Sequence, residues 1–93
     1  LDTEGVALLA LGRYEEAEEV FEEALRLSPS EPGLLLGVAE ALHGQGDTPG
    51  AEAALSRMEQ AMRTSGPLAP EVRDRLARLR EALSEGSLSS AGG

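Results

Sequence analysis

The chain carries few side chains that could act together as a catalytic site. His43 is its single imidazole, and the sequence contains neither cysteine nor lysine to serve as a nucleophile or a base. Nucleophilic and acid–base catalysis both need such a group beside a partner that activates it. His43 instead precedes Gly44, where a cation near the carboxyl end of a helix is favourable. We therefore predict a surface histidine and no enzymatic activity.

Closely spaced glutamates form the second pattern with chemical potential. They are Glu15, Glu18, Glu19, Glu22 and Glu23. Metal-binding helical bundles bring carboxylates from several helices together, whereas these five belong to one segment. We interpret them as a solvated helix face and predict no metal. The serines and threonines lie in no Gly-x-Ser-x-Gly motif and no phosphate-binding glycine loop, so we also predict no cofactor.

The net charge of the chain limits the kinds of partner that it can bind. The net charge is −9, and residues 1–31 hold nine acids and two bases while residues 67–93 hold four of each. Nucleic-acid binding needs a cationic surface to replace phosphate counterions, so no nucleic-acid partner is expected. The apolar runs are far shorter than the roughly 18 residues that a membrane span requires. We expect no membrane association and a cytoplasmic location.

Glycines and prolines divide the chain into five predicted helices. Between them Leu, Ala and Val recur at intervals of three and four residues, as one buried helix face requires. The first predicted helix ends at residue 11, and the others cover residues 14–27, about 32 to the break at 44–47, 48 to about 63, and about 69–84. In the second helix Phe21 faces inward, together with either Leu25 or Leu27. Residues 86–93 are nearly all Ser, Gly and Ala, so we predict a disordered tail.

A constant step along the chain relates its first part to its second. The matched pairs are Ala7 and Ala41, Leu8 and Leu42, Gly12 and Gly46, Ala17 and Ala51, and Phe21 and Leu55. The two members of each pair are separated by 34 positions. A repeat of this length is typical of helical hairpins, which stack because one hairpin alone cannot cover its apolar face. The sequence therefore predicts stacked α-hairpins.

The spacing within the first copy resembles the second half of a tetratricopeptide repeat (TPR). The residues that carry the resemblance are Gly12-Arg13-Tyr14, Ala17, Phe21, Ala24 and Pro29. In the second copy Met58 and Arg63 stand where the resemblance implies Ala and Pro. The resemblance implies an all-α fold of antiparallel helix-turn-helix repeats, a TPR-like α-solenoid fragment with five helices. Its parts are hairpins at residues 1–30 and 31–66, a capping helix at 67–85 and the tail at 86–93.

The same resemblance implies a scaffold or adaptor module that binds a peptide or helix in a concave groove. The first helix of each hairpin lines that groove in the family. The implied positions are Asp2, Val6, Leu9 and Ala10 in the first copy, Leu36, Glu40 and His43 in the second, and Asp74 in the closing helix. Three acids around leucines favour a basic or amphipathic peptide. Alternatively, a neighbouring repeat covers Val6, Leu9 and Leu36.

The surface residues bear on two other functions. Family members that grip carboxylate tails use a Lys and Asn clamp, and Asp2 and Val6 stand at those places, so that activity is not expected. Self-association is the alternative function. The acidic stripe at residues 15–23 would meet the arginine face at 73–80 of a second copy, or repeat ends would stack into a homodimer.

Overall fold

The protein is described by a computed structural model that covers residues 2–92, with side chains described for residues 3–85. Within that range every regular element is a helix, which confirms the all-α prediction. The helices are α1 (Asp2–Ala10), α2 (Tyr14–Leu27), α3 (Pro32–Gly44), α4 (Thr48–Ser65) and α5 (Pro70–Gly92). The fifth helix was predicted to end near Ser84 and to be followed by a disordered tail, whereas the backbone is helical to Gly92. No proline follows Pro70, so every later amide can donate to the helix.

The two turns inside the hairpins have the same geometry at equivalent positions of the repeat. Gly12 and Gly46 have φ values of +78° and +83°. The N–H of Gly12 donates to the carbonyl of Leu9 at 3.0 Å, and that of Gly46 donates to the carbonyl of His43 at 3.0 Å. In each turn the next N–H donates to the carbonyl five positions back, at 2.9 Å. Glycine adopts positive φ without steric cost, so both turns end their helix in a Schellman motif.

The starts of α3 and α4 follow from local sequence. Pro32 and Pro49 lie in the first turns of α3 and α4, where a missing N–H costs nothing. Oδ1 of Asp47 accepts a hydrogen bond from the N–H of Gly50 at 3.0 Å. This contact satisfies one of the free amides at the start of α4.

The helices pack as two successive hairpins followed by α5. α1 packs on α2 and α3 packs on α4, while α3 also contacts α2 of the preceding hairpin. α1, α3 and α5 contact one another in that order and form one row, which we call the first-helix row. The molecule is elongated, with dimensions of 42 × 29 × 21 Å. This arrangement is that of stacked repeats, in which each unit contacts its neighbours.

The core is aliphatic around a single ring. Its largest wholly buried side chains are Phe21, Leu35, Leu36 and Met58. The alanines Ala17, Ala39 and Ala51 are also 0% exposed, as expected of small residues where helices approach closely. Leu25 is buried and Leu27 is 80% exposed, so Leu25 is the core residue of that pair.

α4 is one turn longer than its counterpart in the first hairpin. The two helices begin at equivalent positions of the repeat, but α2 has 14 residues and α4 has 18. Pro29 lies just beyond α2, whereas the equivalent Arg63 lies inside α4 and lets it continue to Ser65. The extra turn adds about 6 Å of helix. As a result, α5 begins one helical turn later than a strict continuation of the repeat would place it.

Candidate partner-binding surface

The exposed apolar residues of the predicted groove lie on α1. Val6 is 38% exposed, and Leu9 is partly buried because it packs against the core. Ala10 is exposed. The side chain of Asp2 lies outside the described residues. α1 thus offers a short apolar surface at the start of the first-helix row.

Leu36 lies in the core rather than on a groove surface. It is 0% exposed and belongs to the same buried cluster as Leu76 and Leu79 of α5. The approach of α5 to α3 explains this placement, because the closing helix covers a face that the sequence pattern alone left open. Leu36 therefore offers no side-chain surface to a partner in this structure.

Glu40 joins α3 to α5 through an ion pair with Arg75. Nε of Arg75 donates to Oε2 of Glu40 at 3.2 Å, and Nη2 donates to Oε1 of the same carboxylate. Both side chains are about 20% exposed. A guanidinium that engages both carboxylate oxygens fixes the angle between the helices as well as supplying charge. The acid that the sequence assigned to the groove is neutralised within the chain.

His43 lies in the last turn of α3 and is partly buried. Its Nδ1 is buried and has no hydrogen-bond partner among the described residues. Glu40 and His43 have the Glu-x-x-His spacing of bundle metal sites, but Arg75 engages both oxygens of Glu40. The described residues contain no group of three His, Cys, Asp or Glu side chains arranged to hold a metal.

Asp74 is exposed and stands apart from Glu40. It borders a shallow depression on α5 together with Ala77, Arg78 and Glu81. Asp74 follows Glu40 by one repeat length, yet α5 begins a turn later than the repeat predicts, so the two acids do not occupy equivalent positions in their helices. The structure therefore brings Glu40 together with Arg75 rather than with Asp74.

The glutamate stripe of α2 is a surface feature with local interactions. Oε1 of Glu18 accepts a hydrogen bond from Nε2 of Gln45 at 2.8 Å. Partial burial raises the pKa of Glu22 above its ordinary value of 4.5, and a hydrogen bond and repulsion from Glu18 add to the rise. Arg26 and Arg57 oppose that rise in pKa. The negative charge of Glu22 beside Glu18 is therefore slightly unfavourable in the folded protein.

A cleft that was not predicted from the sequence lies between α4 and α5. Its volume is about 620 Å³, and Met62, Leu68, Leu76 and Ala77 supply apolar walls. Among the residues whose side chains are described, Arg73 and Arg80 are the charged ones that line it. The extra turn of α4 and the Gly66–Pro67 turn separate the two helices here. Arg63 in place of proline was a sequence signal for a longer α4 but not for the cleft itself.

The helices were compared with the length and hydropathy that a membrane span requires. Over the described part of the chain, none combines the length and the apolar character of a membrane span.

Comparison with known proteins identifies the fold family. A family model described as tetratricopeptide repeat matches residues 8–85. The matched range includes α2, α3 and α4 in full and the part of α5 that packs on α3. Neither the curated proteins nor the solved structures yielded a match to the chain. The family match and the stacked hairpins agree, and the chain belongs to the tetratricopeptide repeat family.

Proposed function

We propose that this chain is a non-catalytic module that binds a peptide or a helix of another protein along the first-helix row. Repeats of this family generally mediate protein–protein interactions. The observation that carries the proposal is the exposed apolar surface of α1, where Val6 is 38% exposed beside Leu9. Apolar side chains on a helix row are the anchors that the helix-in-groove mode uses.

The partner that we propose is basic or amphipathic. The net charge is −9, and the segment 1–31 carries most of the excess of acids. Such a field accelerates association with a cationic partner, and salt weakens the effect. The proposed contacts are Asp2, Val6, Leu9, His43 and Asp74, with Glu40 contributing its hydrocarbon stem beside Arg75.

A titration with two peptides tests the proposal. Amphipathic peptides that differ only in lysine or glutamate on the polar face are added to the ¹⁵N-labelled chain at two salt concentrations. We expect the lysine peptide to shift amide signals of α1 and of the end of α3, with weaker binding at high salt. Val6→Arg should weaken that binding about tenfold, because a cation would then face the peptide. Ala53→Arg, on an exposed position of α4, is the matched control.

The outcomes of this titration are distinct. Shifts on α1 that appear with the glutamate peptide but not with the lysine peptide contradict a basic partner. The absence of shifts on both α1 and α3 contradicts the proposed surface.

Self-association is a second candidate function. Thr3, Val6, Ala7 and Ala10 are exposed at helical spacing on α1, and Leu11 in the turn that follows is 70% exposed. Stacking of this surface on a second copy would bury it in a closed dimer. Light scattering at low and high salt distinguishes the candidates: a dimer that persists in salt favours apolar stacking, and a strict monomer favours the binding module.

A further inference from the structure

The cleft between α4 and α5 has the size and lining of a docking site. Its volume of about 620 Å³ lies within the range of typical ligand sites, roughly 300–1,000 Å³. Met62 and Leu68 are partly exposed in its walls, and Leu76 lies beneath them with 6% exposure. A methionine at such a site adapts its shape to an incoming side chain. The cleft therefore accepts apolar side chains from outside.

Both charged residues in the described lining of the cleft are arginines. Nη2 of Arg80 already pairs with Oε2 of Glu59 of α4 at 2.9 Å. Arg73 is exposed and has no ion-pair partner among the described residues. Residues 67–93 contain as many bases as acids, in contrast to the acidic first part of the chain. An incoming carboxylate thus meets an available guanidinium, and no acid belongs to the lining as far as side chains are described.

We propose that this cleft binds an acidic amphipathic helix of a partner protein. Apolar side chains of that helix enter between Met62, Leu68 and Ala77, and a carboxylate of the same helix pairs with Arg73. The mode is helix-in-groove recognition, in which a few apolar anchors supply affinity and a charge-assisted hydrogen bond fixes orientation. The site is separate from the α1 surface of the proposed function and takes a partner of opposite charge.

The acidic helix α2 of a second copy fits the cleft poorly. α2 is the acidic helix of this chain, but Leu27 is the one large apolar residue that is exposed within its described length. A single apolar residue at the end of a helix does not form the ridge that the cleft accepts. An acidic partner helix with its own apolar face meets both requirements.

Two synthetic peptides test the proposal on the full chain. Both are amphipathic helices of about 15 residues with a leucine ridge. One carries glutamate beside the ridge and the other carries lysine. We expect the glutamate peptide to shift amide signals of Met62, Leu68 and Ala77 in the ¹⁵N-labelled protein. It should bind about tenfold more tightly than the lysine peptide, as one charge-assisted contact implies.

Matched variants separate the cleft from the rest of the surface. Arg73→Glu should weaken binding of the glutamate peptide about tenfold, whereas Arg78→Glu, the same change at an exposed residue of α5 outside the cleft lining, should leave its affinity unchanged. Ala77→Phe should block the cleft by filling it, and Ala53→Phe on the exposed face of α4 should not. Thermal unfolding of each variant establishes whether it folds. If Ala77→Phe does not fold, the comparison of Arg73→Glu with Arg78→Glu tests the proposal.

Three results would overturn the proposal. These are equal affinity for the two peptides, shifts by the glutamate peptide that avoid the cleft, and equal effects of Arg73→Glu and Arg78→Glu. Shifts at the cleft that depend on protein concentration without any peptide would identify a second copy as the occupant and would also overturn it.

Discussion

Gly37 of α3 lies directly against the ring of Phe21 of α2. A β-carbon at position 37 would stand 2.6 Å from Cδ1 of that ring, and one at Gly5 of α1 would stand 2.7 Å from its Cε1. The ring is 0% exposed. Three helices therefore meet at one aromatic side chain, and two glycines make room for it. This contact joins the first hairpin to the second.

Gly37→Ala should destabilise the fold although alanine is the better helix former. The new methyl group would overlap a buried ring, and overpacking of this kind costs about 1–3 kcal/mol, more than the roughly 1 kcal/mol that helix propensity returns. Gly33→Ala in the same helix is the control, since a β-carbon there would lie 3.9 Å from Cγ2 of Val72. Chemical denaturation of both variants measures the difference, and equal free energies of unfolding would contradict the packing described here.

The Glu40–Arg75 ion pair should contribute measurably to the docking of α5. A double-mutant cycle with Glu40→Gln and Arg75→Gln should give a coupling energy of about 1–2 kcal/mol, because the pair is bidentate and partly buried. The exposed pair of Glu23 and Arg26, with 71% and 75% of their side chains exposed, should give less than about 0.5 kcal/mol. Similar coupling energies for the two pairs would show that α5 does not depend on this contact.

Asp47→Ala should weaken the start of α4. Loss of the hydrogen bond to the N–H of Gly50 leaves a first-turn amide without its partner, which costs about 1 kcal/mol. Asp47→Asn keeps an oxygen acceptor at the same place and should retain most of the stability. The midpoint of urea unfolding checks this order, and an Asn variant as unstable as the Ala variant would argue against capping.

Glu22→Gln should stabilise the protein slightly at neutral pH. The pKa of Glu22 is raised by partial burial and by Glu18, so the folded state holds the proton more tightly than the unfolded state does. Its contribution to stability is complete below the unfolded value of 4.5 and is lost as the pH rises through the raised folded pKa. Removal of the charge should raise the free energy of unfolding by a few tenths of a kcal/mol, as for other like-charged i,i+4 pairs.

Thermal unfolding between pH 4 and pH 7 measures this effect of Glu22. Glu52→Gln is the matched control, because Glu52 is exposed and has no acid three or four positions away. A stabilisation at pH 7 as large in Glu52→Gln as in Glu22→Gln would assign the effect to net charge rather than to the Glu18–Glu22 pair.

The order of the helices could be predicted because their limits are local. Gly12 and Gly46 end α1 and α3 because glycine adopts positive φ without steric cost. Pro29 prevents α2 from continuing. Phe21 was identifiable as an interior ring, since the chain offers one phenylalanine and one tyrosine. The fourth helix was predicted to end near Arg63, whereas α4 continues to Ser65, because the absence of a proline at position 63 does not state where the helix ends.

Contacts between residues far apart in the chain could not be predicted from the sequence pattern. Leu36 has the spacing of a groove residue, and the sequence does not state that α5 will cover it. The partner of Glu40 is Arg75, 35 positions along the chain, and no local periodicity joins them. The cleft between α4 and α5 depends on the length of one helix and the angle of the next, so its lining was visible only in the folded chain.

The contact of Phe21 with two glycines tests the stacking of the hairpins most directly. Nuclear Overhauser effects should link the ring protons of Phe21 to the Hα protons of both Gly5 and Gly37, and the ring current should shift those Hα signals. Effects to Gly5 without any to Gly37 would contradict the account, because the first hairpin would then be formed but not stacked on the second.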